Sequence, residues 1–495
     1  MKILALFLFL LGPLADAYPA REQAAAHLAT VHQATGGYKN APSDPVPTLA
    51  ATTMAFRAYR YLRINLADTA AHRNFLLSRF DKSQAAFIEN GATKPTVLAN
   101  TFALMLMAEL GFAEDIHAVS ARDYVVAHAT TQDEIYMSMA GLSVMGLADE
   151  IPASWIKQAM DTAISEDPAI TAYDKARSII TCMRTGFNLP DYTRFAAPLT
   201  AAFQELTKKN PWETDSTALQ QAYTLARALV MIDARADLSL PELSASLGQN
   251  PPVATLYRLA ALHAWQPKLK GRLTVALCTG FAPVGFRDAT GQIAGMDADL
   301  IRAFAKQHGY ELAFEEQILF NGIWDLPARG HIDIALSGLS KRRDRLSPGI
   351  RWSYPYFNVD RSLSILKTNA DRLRSIADFD GMKIAVTAGT TGDQDIRERN
   401  PNAIRVPYDN EDLAIRDLLA GKVHALARGD VSNRYDARLH PQLAIIDTHP
   451  MNPPEEFVMA LAKDRVALGQ KLDRFLRDSR KSGELIKIFA PYLSN

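Results

Sequence analysis

The chain carries two different rhythms of apolar and polar residues. Up to Trp265 the apolar positions come in long blocks rich in Ala, Leu and Met. These are Leu49–Leu62, Thr96–Leu110, Ile135–Leu147, Ala172–Met183, Thr217–Met231 and Val253–Trp265. Each would be apolar on most faces of a helix, which predicts six buried helices. Their starts recur at a period of about 40 residues. Between them lie segments with a narrower apolar stripe: His72–Ile88, Ala113–Ala127, Ala153–Ile164 and Arg194–Leu206. Inner helices alternating with outer ones predict an all-α helical repeat over 18–265, either open or closed into a double ring.

From about Gly271 the rhythm shortens. Strand-length apolar runs now alternate with helix-period segments, the pattern of an α/β domain with a mainly parallel sheet. Strands are expected at Leu273–Ala276, Leu312–Phe314, Ile332–Leu336, Leu363–Leu366, Lys383–Thr387 and Val423–Ala427. Helices are expected at Asp297–Gln307, Ile323–Ala328, Leu413–Leu419, Val466–Ser479 and Gly483–Phe489. Pro267-Lys268-Leu269-Lys270-Gly271 reads as a short polar linker between the halves.

Residues 1–17 break the pattern. Lys2, the apolar run Ile3–Leu11 and the small residues Ala15 and Ala17 form a secretory signal peptide, with cleavage before Tyr18. Export to the periplasm or medium follows. No other stretch reaches the length needed to span a bilayer, so no membrane span is expected after cleavage. The 54 basic and 54 acidic side chains cancel, so nothing in the charge favours nucleic acid or an anionic membrane. Cys182 and Cys278 lie in apolar stretches of different halves and are expected as two buried free thiols. Two cysteines alone make no zinc site. His27 and His32, like His117 and His128, lack the i, i+4 spacing of a zinc-binding helix. No metal or cofactor is expected.

The chemistry concentrates in Asp333–Arg345. Ile334–Leu336 is a buried strand, Ser337-Gly338-Leu339-Ser340 a small-residue turn, and Arg345 a guanidinium set after the solvated charge run of Lys341, Arg342 and Arg343. Hydroxyls and backbone N–H groups at a strand end, followed by a planar two-pronged cation, suit a carboxylate. A second glycine-hydroxyl turn, Gly389-Thr390-Thr391-Gly392, lies between a strand and a helix and presents N–H groups to an anion. Facing one another, the two turns would hold one carboxylate from both sides. Neither is a phosphate loop, because the Gly-x-x-x-x-Gly-Lys-Ser/Thr spacing is missing.

Several ordered motifs resemble family 3 periplasmic solute-binding proteins of the amino-acid-binding type. They are Phe281-Ala282-Pro283-Val284-Gly285-Phe286-Arg287-Asp288, Gly295-Met296-Asp297-Ala298-Asp299-Leu300, Asp333–Arg345, Tyr354-Pro355-Tyr356-Phe357, Gly389-Thr390-Thr391 and Gly421-Lys422-Val423-His424-Ala425. The resemblance covers 272–493. It implies a two-lobed α/β domain of periplasmic-binding-protein type 2 over 271–495, with lobe 1 at about 271–365 and 455–495 and lobe 2 at about 368–450. It further implies that Arg345 grips a ligand carboxylate, with Ser337, Gly338 and Ser340 beside it. Thr390 and Thr391 close on the same carboxylate from the second lobe, and Asp430 receives an α-amino group. Phe281, Phe286 and Phe320 wall the pocket. Asp297 and Asp299 are expected to start and cap the first helix. The implied partners are an amino acid or small carboxylate, and a transporter permease or sensor.

Within that family, Asp409-Asn410, Arg438-Leu439-His440-Pro441-Gln442-Leu443 and the tail after Glu456 resemble cyclohexadienyl dehydratase. That lyase removes water and carbon dioxide from prephenate or arogenate, which needs a general acid at the leaving hydroxyl. The enzyme's glutamate, three residues after the binding aspartate, falls here on Asn433, whose amide is no acid. The segment Asp430–Arg438 is also one residue shorter than the enzyme's. Glu455 and Glu456 do not match its position. Binding is therefore the expected function and the lyase the alternative. In the helical half, Gly36-Gly37-Tyr38 and Pro45-Val46-Pro47-Thr48-Leu49-Ala50-Ala51-Thr52-Thr53 resemble the repeat of protein prenyltransferase β-subunits and terpenoid cyclases, which implies an α/α toroid. The cyclases' Asp-x-Asp-Asp motif is not in the sequence.

Overall fold

The computed structural model describes residues 18–64, 66, 69–112, 116–186, 192–208, 216–237, 240, 251–347, 349–409, 411–449 and 455–493. The expected signal peptide over 1–17 lies outside these residues. Two compact units emerge. The first runs to Gly271 and includes 329–331 and 463–468; the second comprises 272–328, 332–462 and the rest of the chain.

The first unit is helical: α1 (Tyr18–Val31), α2 (Leu49–Tyr61), α3 (Ala70–Leu77), α4 (Val97–Leu110), α5 (Ile116–His128), α6 (Gln132–Val144), α7 (Ala153–Ile164), α8 (Ala172–Arg184), α9 (Ala196–Thr207), α10 (Ser216–Met231) and α11 (Val253–Leu269). Helices α2, α4, α6 and α8 all start on a threonine cap, the hydroxyls of Thr48, Thr96, Thr131 and Thr171 each accepting a first-turn N–H. Such a cap contributes about 1 kcal/mol. The even-numbered helices α2 to α10 and α11 form a packing sequence: α2 meets α4, α4 meets α6, α6 meets α8, α8 meets α10, α10 meets α11, and α11 meets α2. Their apolar faces share one core, which includes the free thiol Cys182.

Two local expectations change here. The stripe His72–Ile88 does not stay helical: α3 ends at Leu77 and the chain forms a hairpin of β1 (Phe80–Asp81) and β2 (Ala86–Phe87). Asp81 takes the turn N–H groups of Ser83 and Gln84, and buried Asn100 clamps the N–H and C=O of Phe87. Side chains that bond turn and edge backbone groups give the chain an alternative to the helix. The expected linker at 267–271 is instead mostly helix, since α11 continues through Pro267 to Leu269. Trp265 and Leu269, four residues apart and both buried, keep that last turn on the core.

The second unit holds two sheets. The first has the order β10-β16-β8-β3-β7, from β3 (Arg272–Cys278), β7 (Glu311–Gln317), β8 (Ile334–Ser340), β10 (Phe357–Val359) and β16 (Glu455–Ala462), with β9 (Ile350–Trp352) also on β16. Beside it lie the small strands β4 (Gly280–Phe281), β5 (Gly285–Arg287) and β6 (Ile293–Ala294), and the helix α12 (Met296–Gln307). The second sheet has the order β13-β12-β14-β11-β15, from β11 (Arg361–Leu366), β12 (Lys383–Thr387), β13 (Ile404–Tyr408), β14 (Ala425–Gly429) and β15 (Leu443–His449). Its helices are α13 (Thr391–Arg399), α14 (Glu411–Leu419) and α15 (Asp430–Leu439); α16 (Val466–Ser482) and α17 (Glu484–Leu493) close the chain. In each sheet two parallel pairs are flanked by antiparallel ones.

The chain passes from the first sheet to the second at Asp360 and returns between His449 and Glu455. The first crossing precedes the expected 365, because Arg361–Leu366 pairs with β14 and β15. Ser337–Ser340 is likewise no turn. It continues β8, with a register shift against β16 between Val458 and Ala460. Gly338 carries the irregularity with φ +59, and a Cβ there would stand 3.0 Å from the Phe457 ring. Among the described residues no helix is long and apolar enough to cross a membrane.

Candidate carboxylate site

Arg345 is the focus of the second unit. It follows β8 in a short 3-10 turn, Arg343–Arg345, and only 1% of it is exposed. Its Nη1 donates to the Ser340 carbonyl (3.1 Å) and hydroxyl (3.2 Å), and its Nη2 donates to the Gly389 carbonyl at 2.7 Å. The guanidinium carbon sits 4.9 Å from the Trp324 ring centre and 5.3 Å from that of Phe320. Nε has no partner, and no carboxylate lies within ion-pair distance of Arg345 among the described residues. A buried cation without a counter-charge costs several kcal/mol. Burial, then Arg342, pushes its pKa down to about 10. Among the described residues the fork is thus held by neutral acceptors, with Glu455 and Asp344 acting on it only from beyond ion-pair distance. Its neighbours behave as surface charge: Lys341 and Arg343 are exposed, and Arg342 pairs with Asp344.

Thr391 reaches the same place from the second sheet. Its hydroxyl is 3.4 Å from that of Ser340 and donates to the Glu455 carboxylate. Glu455 also accepts from Arg361, in a pair with both side chains buried. Thr390 is the N-cap of α13: its hydroxyl accepts from the Asp393 N–H and donates to the Thr387 carbonyl. Gly389, with φ +76, brings its backbone so close to Asn321 that a Cβ would meet the amide oxygen at 2.9 Å. The lobes therefore meet across Arg345, Gly389, Ser340 and Thr391.

Other expected residues support this centre from behind. Ser337 Oγ accepts the Cys278 N–H at 2.8 Å. The Gly338 N–H donates to Asp297 Oδ2 (2.9 Å), whose Oδ1 takes the Tyr356 hydroxyl at 2.6 Å. Burial pushes the Asp297 carboxyl up to about 7, against those two hydrogen bonds. Asp297 is therefore a strut between α12 and β8, while Gly295 is the helix cap. Asp299 pairs with Arg302 and takes the Tyr492 hydroxyl. Cys278 is a buried free thiol with its pKa pushed up to about 12 by desolvation. Among the described residues no group of three or more His, Cys, Asp or Glu could hold a metal.

The aromatic residues divide. Phe281 and Phe320 lie 5.2 Å apart, and Phe320 is 6.3 Å from Trp324, which makes one shelf beneath Arg345. Phe286 instead packs against Tyr435 and Tyr492. Asp430 begins α15; its carboxylate accepts the Asp360 N–H at 3.0 Å and pairs with Arg434. Asn433 is fully buried, accepting from Arg428 Nε at 3.0 Å and donating to Ser362 Oγ at 2.8 Å. Arg428 also pairs with Glu411 and Asp436, so Asn433 belongs to an internal polar network. Sequence reasoning missed Trp324 and the Arg361–Glu455 pair. A tryptophan inside an otherwise ordinary helical segment was the available signal.

Residues 273–495 match the family described as bacterial extracellular solute-binding proteins, family 3. A probable histidine-binding protein of Neisseria gonorrhoeae is 28% identical over 44% of this chain and 82% of its own length. The ABC transporter arginine-binding protein 1 of Escherichia coli K12 is 26% identical over 44% of this chain and 88% of its own. Among solved structures, a mutant ArgBP from T. maritima is 26% identical with a TM-score of 0.43, covering 47% of this chain and 99% of that one.

Proposed function

The C-terminal part of the chain, residues 273–495, belongs to the family 3 bacterial extracellular solute-binding proteins, and on that premise we propose that the protein binds an amino acid or a related small carboxylate between its two lobes. The observation that carries this is Arg345: a guanidinium 1% exposed, oriented by three neutral acceptors, with no carboxylate of its own. A ligand carboxylate supplies the missing charge in the two-pronged geometry that a guanidinium favours. Ser340 and Thr391 hold its oxygens from the two lobes. Ser337, Gly338 and Thr390 shape the backbone around them, and Phe281, Phe320 and Trp324 cover the apolar remainder. Phe286, packed on Tyr435 and Tyr492, is left out of that wall. Asp430, and Glu455 beside Thr391, are the carboxylates we assign to an ammonium group.

The relatives are named for histidine and arginine, which supports amino acids as the ligand class. The naming of the Escherichia coli relative as an ABC transporter protein supports a permease as partner, and the leader-like residues 1–17 support a periplasmic or secreted location. The lyase alternative needs an acid where Asn433 stands, and that amide is committed to Arg428 and Ser362. For the helical unit, the packing sequence that returns from α11 to α2 supports a closed α/α toroid. Titration calorimetry of the whole protein with the twenty amino acids tests the proposal. Binding at one site per chain is expected, and failure of all twenty to bind would refute the amino-acid reading. Release of phenylpyruvate from prephenate would refute the choice of binding over turnover.

A further inference from the structure

The helical unit carries a second concentration of guanidinium groups, unrelated to Arg345: Arg57 and Arg227 are buried, Arg60 and Arg184 half-buried. Helix α2 supplies Arg57 and Arg60, α8 supplies Arg184, and α10 supplies Arg227. Among the described residues two carboxylates answer these four cations. Glu109 of α4 lies 3.3 Å from Arg57 and 2.9 Å from Arg60, and Asp464 lies 3.5 Å from Arg227. Asp464 is 42% exposed, so its charge is largely screened by water. Arg184 has no carboxylate within ion-pair distance among the described residues, and its Nη1 is buried without a hydrogen-bond partner. Arg60 Nε and Arg227 Nε are also buried without partners.

Tyrosines fill the space among these cations. Arg57 donates to the Tyr257 hydroxyl at 3.4 Å and Arg227 to the Tyr223 hydroxyl at 2.9 Å, and the two hydroxyls bond each other. Trp265 stands 5.1 Å from Tyr223 and 5.7 Å from Tyr61, ring centre to ring centre. Burial alone would raise the Tyr223 phenol, yet Arg227, Arg57 and Arg184 hold it below its ordinary value. The field at that oxygen is strongly positive. A guanidinium kept only for structure would be expected to bond backbone carbonyls or a carboxylate, because leaving a buried donor without a partner is costly. Arg184 does neither with its Nη1.

We propose that Arg184, Arg227 and Arg57, with Tyr223, Tyr257 and Trp265, form a binding site in the helical unit for an organic oxyanion with a flat apolar body. The oxyanion is a carboxylate or a phosphate monoester. It takes the unpartnered N–H groups, and its body lies against the aromatic rings.

Calorimetry on the whole protein at fixed ionic strength, with benzoate, phenyl phosphate and inorganic phosphate as probes, tests this. One aryl anion should bind at one site per chain, and its identity separates carboxylate from phosphate. Arg184→Gln should weaken that binding at least tenfold, whereas Arg345→Met should leave it in place. The ligand-free melting temperature of the Arg184→Gln protein should equal or exceed that of the parent, because an uncompensated buried charge is removed. A lowered melting temperature would mark Arg184 as a structural strut and overturn the site. Aryl-anion binding indifferent to Arg184, or no such binding, would do the same. Inorganic phosphate binding as tightly as phenyl phosphate would overturn the apolar half of the proposal.

Discussion

Replacing Arg345 with methionine separates a ligand-binding guanidinium from a structural one. Methionine preserves much of the volume against Trp324 and Phe320 and removes the charge. Truncating one partner of a buried, hydrogen-bonded charge pair costs about 2–5 kcal/mol. At about 1.4 kcal/mol per decade, that is a loss of about 30-fold to a few thousand-fold in affinity. The upper part of the range is expected here, since Arg345 is 1% exposed and solvent cannot stand in for it. Ligand-free stability should respond differently. The variant loses three hydrogen bonds to Ser340 and Gly389, but it also loses a buried charge without a counter-ion, and such exchanges are often neutral or stabilising. Calorimetry with L-arginine, L-histidine and L-glutamine gives the first quantity and thermal unfolding without ligand the second. Arg345→Lys keeps the charge without the fork and should fall between parent and Met variant in affinity. Unchanged affinity in Arg345→Met would refute the site. A large ligand-free destabilisation would show that the guanidinium serves the fold.

Four further substitutions probe the neighbours. Thr391→Val removes the hydroxyl shared with Glu455 and Ser340 and should weaken ligand binding about 10- to 100-fold; Thr390→Val, which loses the α13 cap, should instead cost about 1 kcal/mol of stability. Asn433→Ala strips partners from Arg428 and Ser362 and should cost about 1–3 kcal/mol in urea unfolding with affinity unchanged; a selective loss of affinity would return Asn433 to the ligand site. Asp297, with its folded pKa raised from 3.8 to about 7, favours the folded state below the unfolded value and loses that contribution as pH rises through about 7. Relative to Asp297→Asn, the parent should therefore lose stability between pH 4 and 7, with a ceiling of about 4 kcal/mol, and parallel pH profiles for the two proteins would refute the buried-carboxyl assignment.

The parts of the site visible in the sequence are those whose chemistry lies in consecutive residues. Ile334–Leu336 reads as a strand because it is an apolar run, and Arg345 reads as a partner for a carboxylate because it follows hydroxyl and small residues at that strand's end within a family motif. The hidden parts depend on partners far away in the chain. Whether the Gly338 N–H faces a ligand or a protein acid depends on Asp297, 41 residues earlier, and no local pattern carries that pairing. Asn433 is similar. Its departure from the dehydratase pattern is legible at once, but its attachment to Arg428 and Ser362 is a fact of packing. The helices show the same division. Threonine caps at Thr48, Thr96, Thr131 and Thr171 are local and readable, whereas the end of α3 at Leu77 is set by Asn100 holding Phe87 from another element. Trp324 is the instructive case, because its sequence surroundings look like an ordinary helix turn and its importance comes from the cation 4.9 Å from its ring. That contact also bears on specificity. On the proposed function Arg345 takes the carboxylate that any ligand of this class carries, which leaves discrimination between ligands to the rings beside it and to the proposed ammonium partners Glu455 and Asp430. Substitutions at Trp324 and Phe320 should therefore reorder preferences among amino acids, while those at Arg345 lower affinity for all of them.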